Sequence, residues 1–170
     1  MSASFARLVG VLLLGLALAA CGTGASPSPA ATESQMPMGS DGMETDIGAL
    51  GEPADAAEAN RTVQLTATDA LVFEPDAIEV QVGETVTFEI ENTGTVDHEF
   101  VLGSADYQEE HEAEMQSGEM AMGEPNELEV PAGETASLTW HFTEAGTTQY
   151  GCHEPAHFPA GMVGTITVSE

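Results

Sequence analysis

The chain has 170 residues, 42% of them hydrophobic, enough apolar side chain to bury one core but not two. Two basic residues, Arg7 and Arg61, stand against 29 acidic ones, for a formal net charge of −27 at pH 7. Such a surface repels phosphate backbones and excludes nucleic-acid binding; it favours cations and basic partners in a salt-dependent way, and equally fits adaptation to high salt.

The first element is a targeting segment. Arg7 precedes an apolar run from Leu8 to Ala20, the n-region and h-region of a secretory leader. At about 13 residues the run falls short of the roughly 20 that span a bilayer. Leu18-Ala19-Ala20-Cys21 resembles a bacterial lipoprotein lipobox. Residues 1–20 then form the signal peptide, and Cys21 is lipidated and becomes the first residue; cleavage that leaves a free thiol is the plainer alternative. Two acyl chains would hold the protein stably on a membrane. The expected location is the outer face of the cytoplasmic membrane, or the periplasm.

Residues 21–60 are rich in Ala, Gly, Ser, Pro and acid and show neither a period of 2 nor one of 3.6. They are expected to form a disordered linker that reaches about 35 Å on average. Met36, Met38 and Met43 lie in it and could bind Cu(I) through soft thioether sulfur. A low-complexity tether that happens to contain methionine accounts for them as well. A disulfide between Cys21 and Cys152 would tie this tether to the core and is not expected.

From residue 61 to 170 the pattern changes to alternation. Val63 and Leu65, then Ile78, Val80 and Val82, then Val86, Phe88 and Ile90 each alternate with polar residues. Ala136, Leu138, Trp140 and Phe142 repeat the pattern, and Ile166 and Val168 close it. Turn signals containing glycine separate these runs. Short period-2 strands of this kind predict an all-β domain, a Greek-key antiparallel β-sandwich of seven to eight strands.

Residues 104–125 interrupt the alternation. Ser104 as N-cap, with Tyr107, His111 and Met115 at four-residue spacing, predicts a short helix over 105–116. Crowding among its acids argues against that helix. His111, Met115, Met120 and Met122 could hold additional copper, against a solvated acidic loop as the simpler account.

The chemistry concentrates in Tyr150–Gly164, where Cys152, His157 and Met162 stand at C-x4-H-x4-M. One thiolate, imidazoles and a weak thioether make the trigonal His₂Cys site with a long axial Met that suits electron-transfer copper. The second imidazole must come from elsewhere, and Val96–Leu102 supplies His98. Each residue has a plainer reading: Cys152 as a small buried hydrophobe, Met162 as core filler, His98 at a strand edge. Zinc suits a one-thiolate site less well. His153, next to Cys152 on an extended strand, should point to the opposite face. His141 should face solvent.

With these residues in hand, the segment over 61–170 resembles the cupredoxins, the group of plastocyanin, azurin and auracyanin. Phe73-Glu74-Pro75 and Gly161-Met162-Val163-Gly164-Thr165-Ile166 belong to the likeness. The resemblance implies one type 1 copper per chain on His98, Cys152, His157 and Met162. Many members carry Asn after the first histidine, where it braces the Cys loop; here that position is Glu99. The strand DHEFVLG with its Met/His/acid insertion also resembles exported cupredoxins linked to copper tolerance.

Pro155, Phe158, Pro159 and Ala160 should form an apolar rim around His157, the edge through which electrons pass in relatives. No nucleophile–base pair and no open coordination position is evident, which argues against an enzyme. Two functions follow: a membrane-tethered one-electron shuttle between redox proteins such as cytochromes or membrane oxidoreductase complexes, or copper tolerance, buffering or delivery. A monomer is expected.

Overall fold

The computed structural model describes residues 47–118 and 123–170. The signal peptide, Cys21, the linker methionines, Met120 and Met122 lie outside the described residues. Ten strands follow in chain order: β1 Gly51–Pro53, β2 Arg61–Thr68, β3 Val72–Glu74, β4 Ala77–Gln81, β5 Thr85–Asn92, β6 His98–Gly103, β7 Glu127–Val130, β8 Thr135–Phe142, β9 Gly146–Gly151 and β10 Val163–Ser169. One helix, α1 Ala105–Ser117, is inserted between β6 and β7.

The strands form two sheets, β1-β8-β5-β2-β3 and β4-β10-β9-β6-β7. Alternation puts Leu65, Phe88, Ile90, Trp140 and Phe142 of the first sheet in the core, facing Phe100, Leu102, Tyr150 and Ile166 of the second. Each such fully buried side chain contributes about 1.5–3 kcal/mol of transfer free energy. Tyr150 stacks on Phe100 at 5.2 Å and meets the edge of Phe73 at 5.3 Å. Its hydroxyl donates to the Pro75 carbonyl at 2.6 Å, so its polar end is satisfied.

The sandwich is borne out, but its sheets are mixed rather than wholly antiparallel. β2 runs parallel to β5, and β10 runs parallel to β4. Alternation identifies a strand by its buried face and carries no information on the direction of its neighbour. The strands also exceed the seven or eight expected, because β1 and β3 are three residues each, too short to display a period.

The ordered domain begins before Arg61. Residues 47–60, expected in the linker, join the fold: β1 pairs with β8, and Ala49 is buried. The Trp140 indole N–H donates to the Ala49 carbonyl at 3.2 Å. Ala49 and its half-buried neighbours Ile47 and Leu50 are too few among Gly and acid to stand out as a strand.

Helix α1 is capped at both ends. Ser104 Oγ accepts from the Tyr107 N–H, and Gly118 closes the helix at φ 71°, its N–H reaching the Glu114 and Met115 carbonyls. The buried residues of α1 are Gln108 and His111. A helix that buries polar residues has no apolar stripe, which is why its sequence signal was weak.

Candidate metal centre

β6 and the β9–β10 loop bring the expected residues together. All six residues of β6 are buried, because one face looks into the core and α1 covers the other. The turn before it is held by Asn92, whose side-chain N–H groups donate to the Val96 and Val130 carbonyls at 2.8 and 2.9 Å. Asp69 accepts from the Thr95 N–H at 2.7 Å, and a Cβ on Gly94 would lie 2.1 Å from the Asp69 carboxylate, so the turn needs glycine there. His98 is thereby delivered to the end of the sandwich.

The loop from Cys152 to Met162 winds back on itself. The His157 N–H donates to the Glu154 carbonyl at 2.8 Å, and the Met162 N–H to the His157 carbonyl at 3.1 Å. The Cys152 N–H donates to the Met162 carbonyl at 3.1 Å, closing the loop. Ala156 takes φ 73°, an uncommon conformation for a residue with a Cβ and one that this tight winding requires.

The result is a convergent donor set. Cys152 Sγ lies 3.2 Å from His157 Nδ1 and 3.7 Å from His98 Nδ1, and the two imidazole centroids are 5.0 Å apart. Among the described residues, His98, Cys152 and His157 are the group of His, Cys or carboxylate side chains whose donor atoms fall within 4.8 Å of one another. Cys152 and His98 are fully buried, and so is Met162, at the far end of the loop that Cys152 opens. His157 is half-exposed, with Pro155, Ala156, Pro159 and Ala160 exposed and Phe158 half-buried about it. Of the residues expected to form an apolar rim, Pro155, Pro159 and Ala160 are exposed, whereas the Phe158 ring stacks on His153.

Burial acts on the two buried donors in opposite senses, holding both in their neutral forms. Burial pushes the Cys152 thiol up to about 12, although the Glu99 and Glu154 N–H groups favour its thiolate. The free thiol therefore stays protonated at neutral pH and gives up its proton on metal capture. Burial lowers His98, and the neighbouring His157 lowers it further, which keeps its ring neutral and able to coordinate. One soft sulfur and two imidazole nitrogens in a dry pocket fit copper.

Residues 59–169 match the family described as copper binding proteins, plastocyanin/azurin family. The chain belongs to that family. It is also 42% identical over 119 residues to the copper-resistant cuproprotein CopI of Rubrivivax gelatinosus, covering 69% of this chain and 72% of that one. A protein of the same name from Pseudomonas aeruginosa is 39% identical over 150 residues, covering 71% and 82%. Among solved structures, auracyanin B superposes with a TM-score of 0.60 at 27% identity, over 71% of this chain and 96% of that one. The cupredoxin resemblance is thus established, and a single type 1 copper is the cofactor this family and donor set support.

Other expected residues fall elsewhere. His153 does point away from the Cys152 side, but into a buried layer beneath α1, where its nitrogens meet Glu112 and Gln108. His141 is half-buried rather than facing solvent, with Nδ1 3.0 Å from Thr85 Oγ1. His111 is buried against His153 and joins no convergent donor group among the described residues.

Glu99 was the residue least legible in advance. Its backbone N–H donates to Cys152 Sγ at 3.3 Å. Its carboxyl is 2% exposed, and burial, with Glu154 and Glu127 nearby, pushes it up to about 7. The His153 backbone N–H opposes that rise by hydrogen bonding to it. The link shown between the first-histidine strand and the Cys loop is this backbone N–H to sulfur, which does not depend on the side chain, while Glu99 Oε2 is buried without a hydrogen-bond partner. The signal available in sequence was that HEFVLG offers no polar alternation, so both faces of the strand had to be covered.

Proposed function

We propose that His98, Cys152, His157 and Met162 hold one type 1 copper and that the protein carries single electrons. The observation that carries this reading is the convergence of one buried thiol and two imidazoles beneath a half-exposed His157 edge. Bound there, copper would supply reversible one-electron chemistry between Cu(I) and Cu(II). The chain's own residues do the rest. Burial of Cys152 and His98 excludes water, the Glu99 N–H stabilises negative charge on sulfur, and the loop hydrogen bonds hold the donors in place. Exposed Pro155, Pro159 and Ala160, close to His157 in the chain, would give a redox partner a dry contact, which fits a carrier.

The leader and Cys21 support an exported protein tethered to the outer face of the cytoplasmic membrane or in the periplasm. Redox proteins such as cytochromes or membrane oxidoreductase complexes are the partners proposed, with the chain acting as a monomer. Among the described residues no helix is long and apolar enough to cross a membrane.

A second reading, copper tolerance, buffering or delivery, is favoured by the two relatives named copper-resistant cuproproteins. One experiment separates the two. A host lacking the gene is complemented with the wild type or with Cys152→Ser and scored for growth on copper and for electron flow in its membranes. Copper sensitivity that only the wild type relieves, with no loss of electron flow in the deletion host, favours tolerance. Impaired electron flow at low copper favours the shuttle.

A further inference from the structure

Helix α1 packs over the outer face of the sheet that carries His98 and leads into Cys152, and one side chain joins the two. The buried Gln108 donates through Nε2 to the Val101 carbonyl at 2.8 Å. That bond orients its amide, so that Oε1 faces His153 Nε2 at 2.7 Å. Four residues further along the helix, Glu112 Oε2 lies 2.9 Å from His153 Nδ1. Both ring nitrogens of His153 are thus held by α1. The ring stacks on Phe158 at 4.6 Å and 27°, and meets His111 of α1 at 4.5 Å on another side. Space is left for this arrangement by Gly151, where a Cβ would lie 2.5 Å from Gln108 Oε1.

The positions of these contacts give them meaning. His153 directly follows Cys152, and Phe158 directly follows His157. The ring of His153, the residue after Cys152, therefore touches the residue after His157 and lies between two oxygens of the insertion, Gln108 Oε1 and Glu112 Oε2, to one of which the neutral imidazole donates its N–H. A strand end carrying a metal donor would otherwise be free to shift with its loop, and small shifts at a thiolate change how it overlaps with copper.

We propose that α1 is a clamp on the metal loop and that His153, gripped by Gln108 and Glu112, is the positioning residue through which it acts. The proposal rests on Cys152 and His157 being copper ligands, but its first readout needs no copper. In the metal-free protein, iodoacetamide alkylates Cys152 only when the loop opens. Loss of a buried hydrogen bond should raise that open population about fivefold. His153→Leu and Gln108→Leu should therefore alkylate about fivefold or more faster, while Glu112→Gln, which keeps an acceptor, stays near wild type. After loading with Cu(II), the two leucine variants should also show a changed intensity ratio of their thiolate charge-transfer bands.

Wild-type alkylation rates and an unchanged band ratio in both leucine variants, each unfolding cooperatively, overturn the clamp. Should His153→Leu fail to fold, Glu112→Leu at the rim of the cluster decides the same question: faster alkylation supports the clamp, and a wild-type rate overturns it. Absence of a charge-transfer band in the wild type would refute the copper assignment and leave the alkylation result to judge the clamp alone.

Discussion

Across 53 residues of chain, the Glu99 backbone N–H donates to Cys152 Sγ at 3.3 Å, next to the strand residue His98. This bond ties the mid-chain strand to the loop donor and places a fixed dipole against the sulfur. The sulfur is the atom whose chemistry serine cannot replace, since a hydroxyl is harder and far less acidic than a thiol. Cys152→Ser is expected to abolish the intense visible charge-transfer band of the copper-loaded protein. An absorption spectrum checks this, and a variant that stayed intensely coloured would sink the assignment.

Met162 is fully buried within the same loop. Leucine has similar volume, so Met162→Leu should cost less than about 1.5 kcal/mol of stability. A thioether is a weak axial partner, so copper should be retained and the reduction potential should move upward. Redox titration of the variant measures it, and complete loss of copper would give Met162 a larger role than an axial contact.

Gly164 on β10 sits against the Tyr150 ring, and a Cβ there would lie 2.1 Å from it. Tyr150 cannot yield, being stacked on Phe100, edged by Phe73 and anchored through its hydroxyl to Pro75. Gly164→Ala should therefore destabilise by about 1–3 kcal/mol, the usual cost of overpacking. Urea unfolding would reveal it as a lower midpoint with an unchanged slope.

The metal donors were legible because their spacing is local: Cys152, His157 and Met162 lie within one loop, and a type 1 set then demands one further imidazole. Strand identity was legible wherever one face is buried and the other wet, as in β4 and β10. What escaped were features set by tertiary contact alone. The parallel pairing of β2 with β5, the recruitment of residues 47–60, and the burial of His153 against His111 on the inner side of α1 leave no periodic trace. His153 in particular reads as an exposed strand residue until the helix that covers it is known.

Arg61 forms a single charged link between β2 and the β4–β5 turn, its Nε 2.8 Å from Glu84 Oε1. Burial pushes the Glu84 carboxyl up, but hydrogen bonds from Arg61 and the Gln81 N–H, with the Arg61 charge, outweigh it and hold it below its ordinary 4.5. A carboxyl with a depressed folded-state pKa contributes stability above its unfolded pKa and loses it as pH falls through the folded value. Because both side chains are partly exposed, Arg61→Met should cost only about 0.5 kcal/mol at neutral pH. The difference should shrink as pH drops below 4.5, which thermal unfolding across pH would test.

With 29 acidic residues against two basic ones, the folded state carries strong self-repulsion. Raising ionic strength from about 0.01 M to about 1 M shortens the screening length from about 30 Å to about 3 Å. The melting temperature should rise over that range. A flat or falling profile would mean that the charges are spaced too widely to matter.

The final strand, β10, lies inside its sheet between β4 and β9, and the metal loop is the segment that leads into it. Ribosomal synthesis makes His98 well before Cys152, and Cys152 one loop before β10 begins. Until β10 has been made and has inserted between β4 and β9, the loop has no second anchor and the sheet has an open seam. Copper capture by the complete donor set would therefore follow the insertion of β10. A chain stalled short of β10 would present its cysteine as an unprotected thiol rather than as half of a metal site.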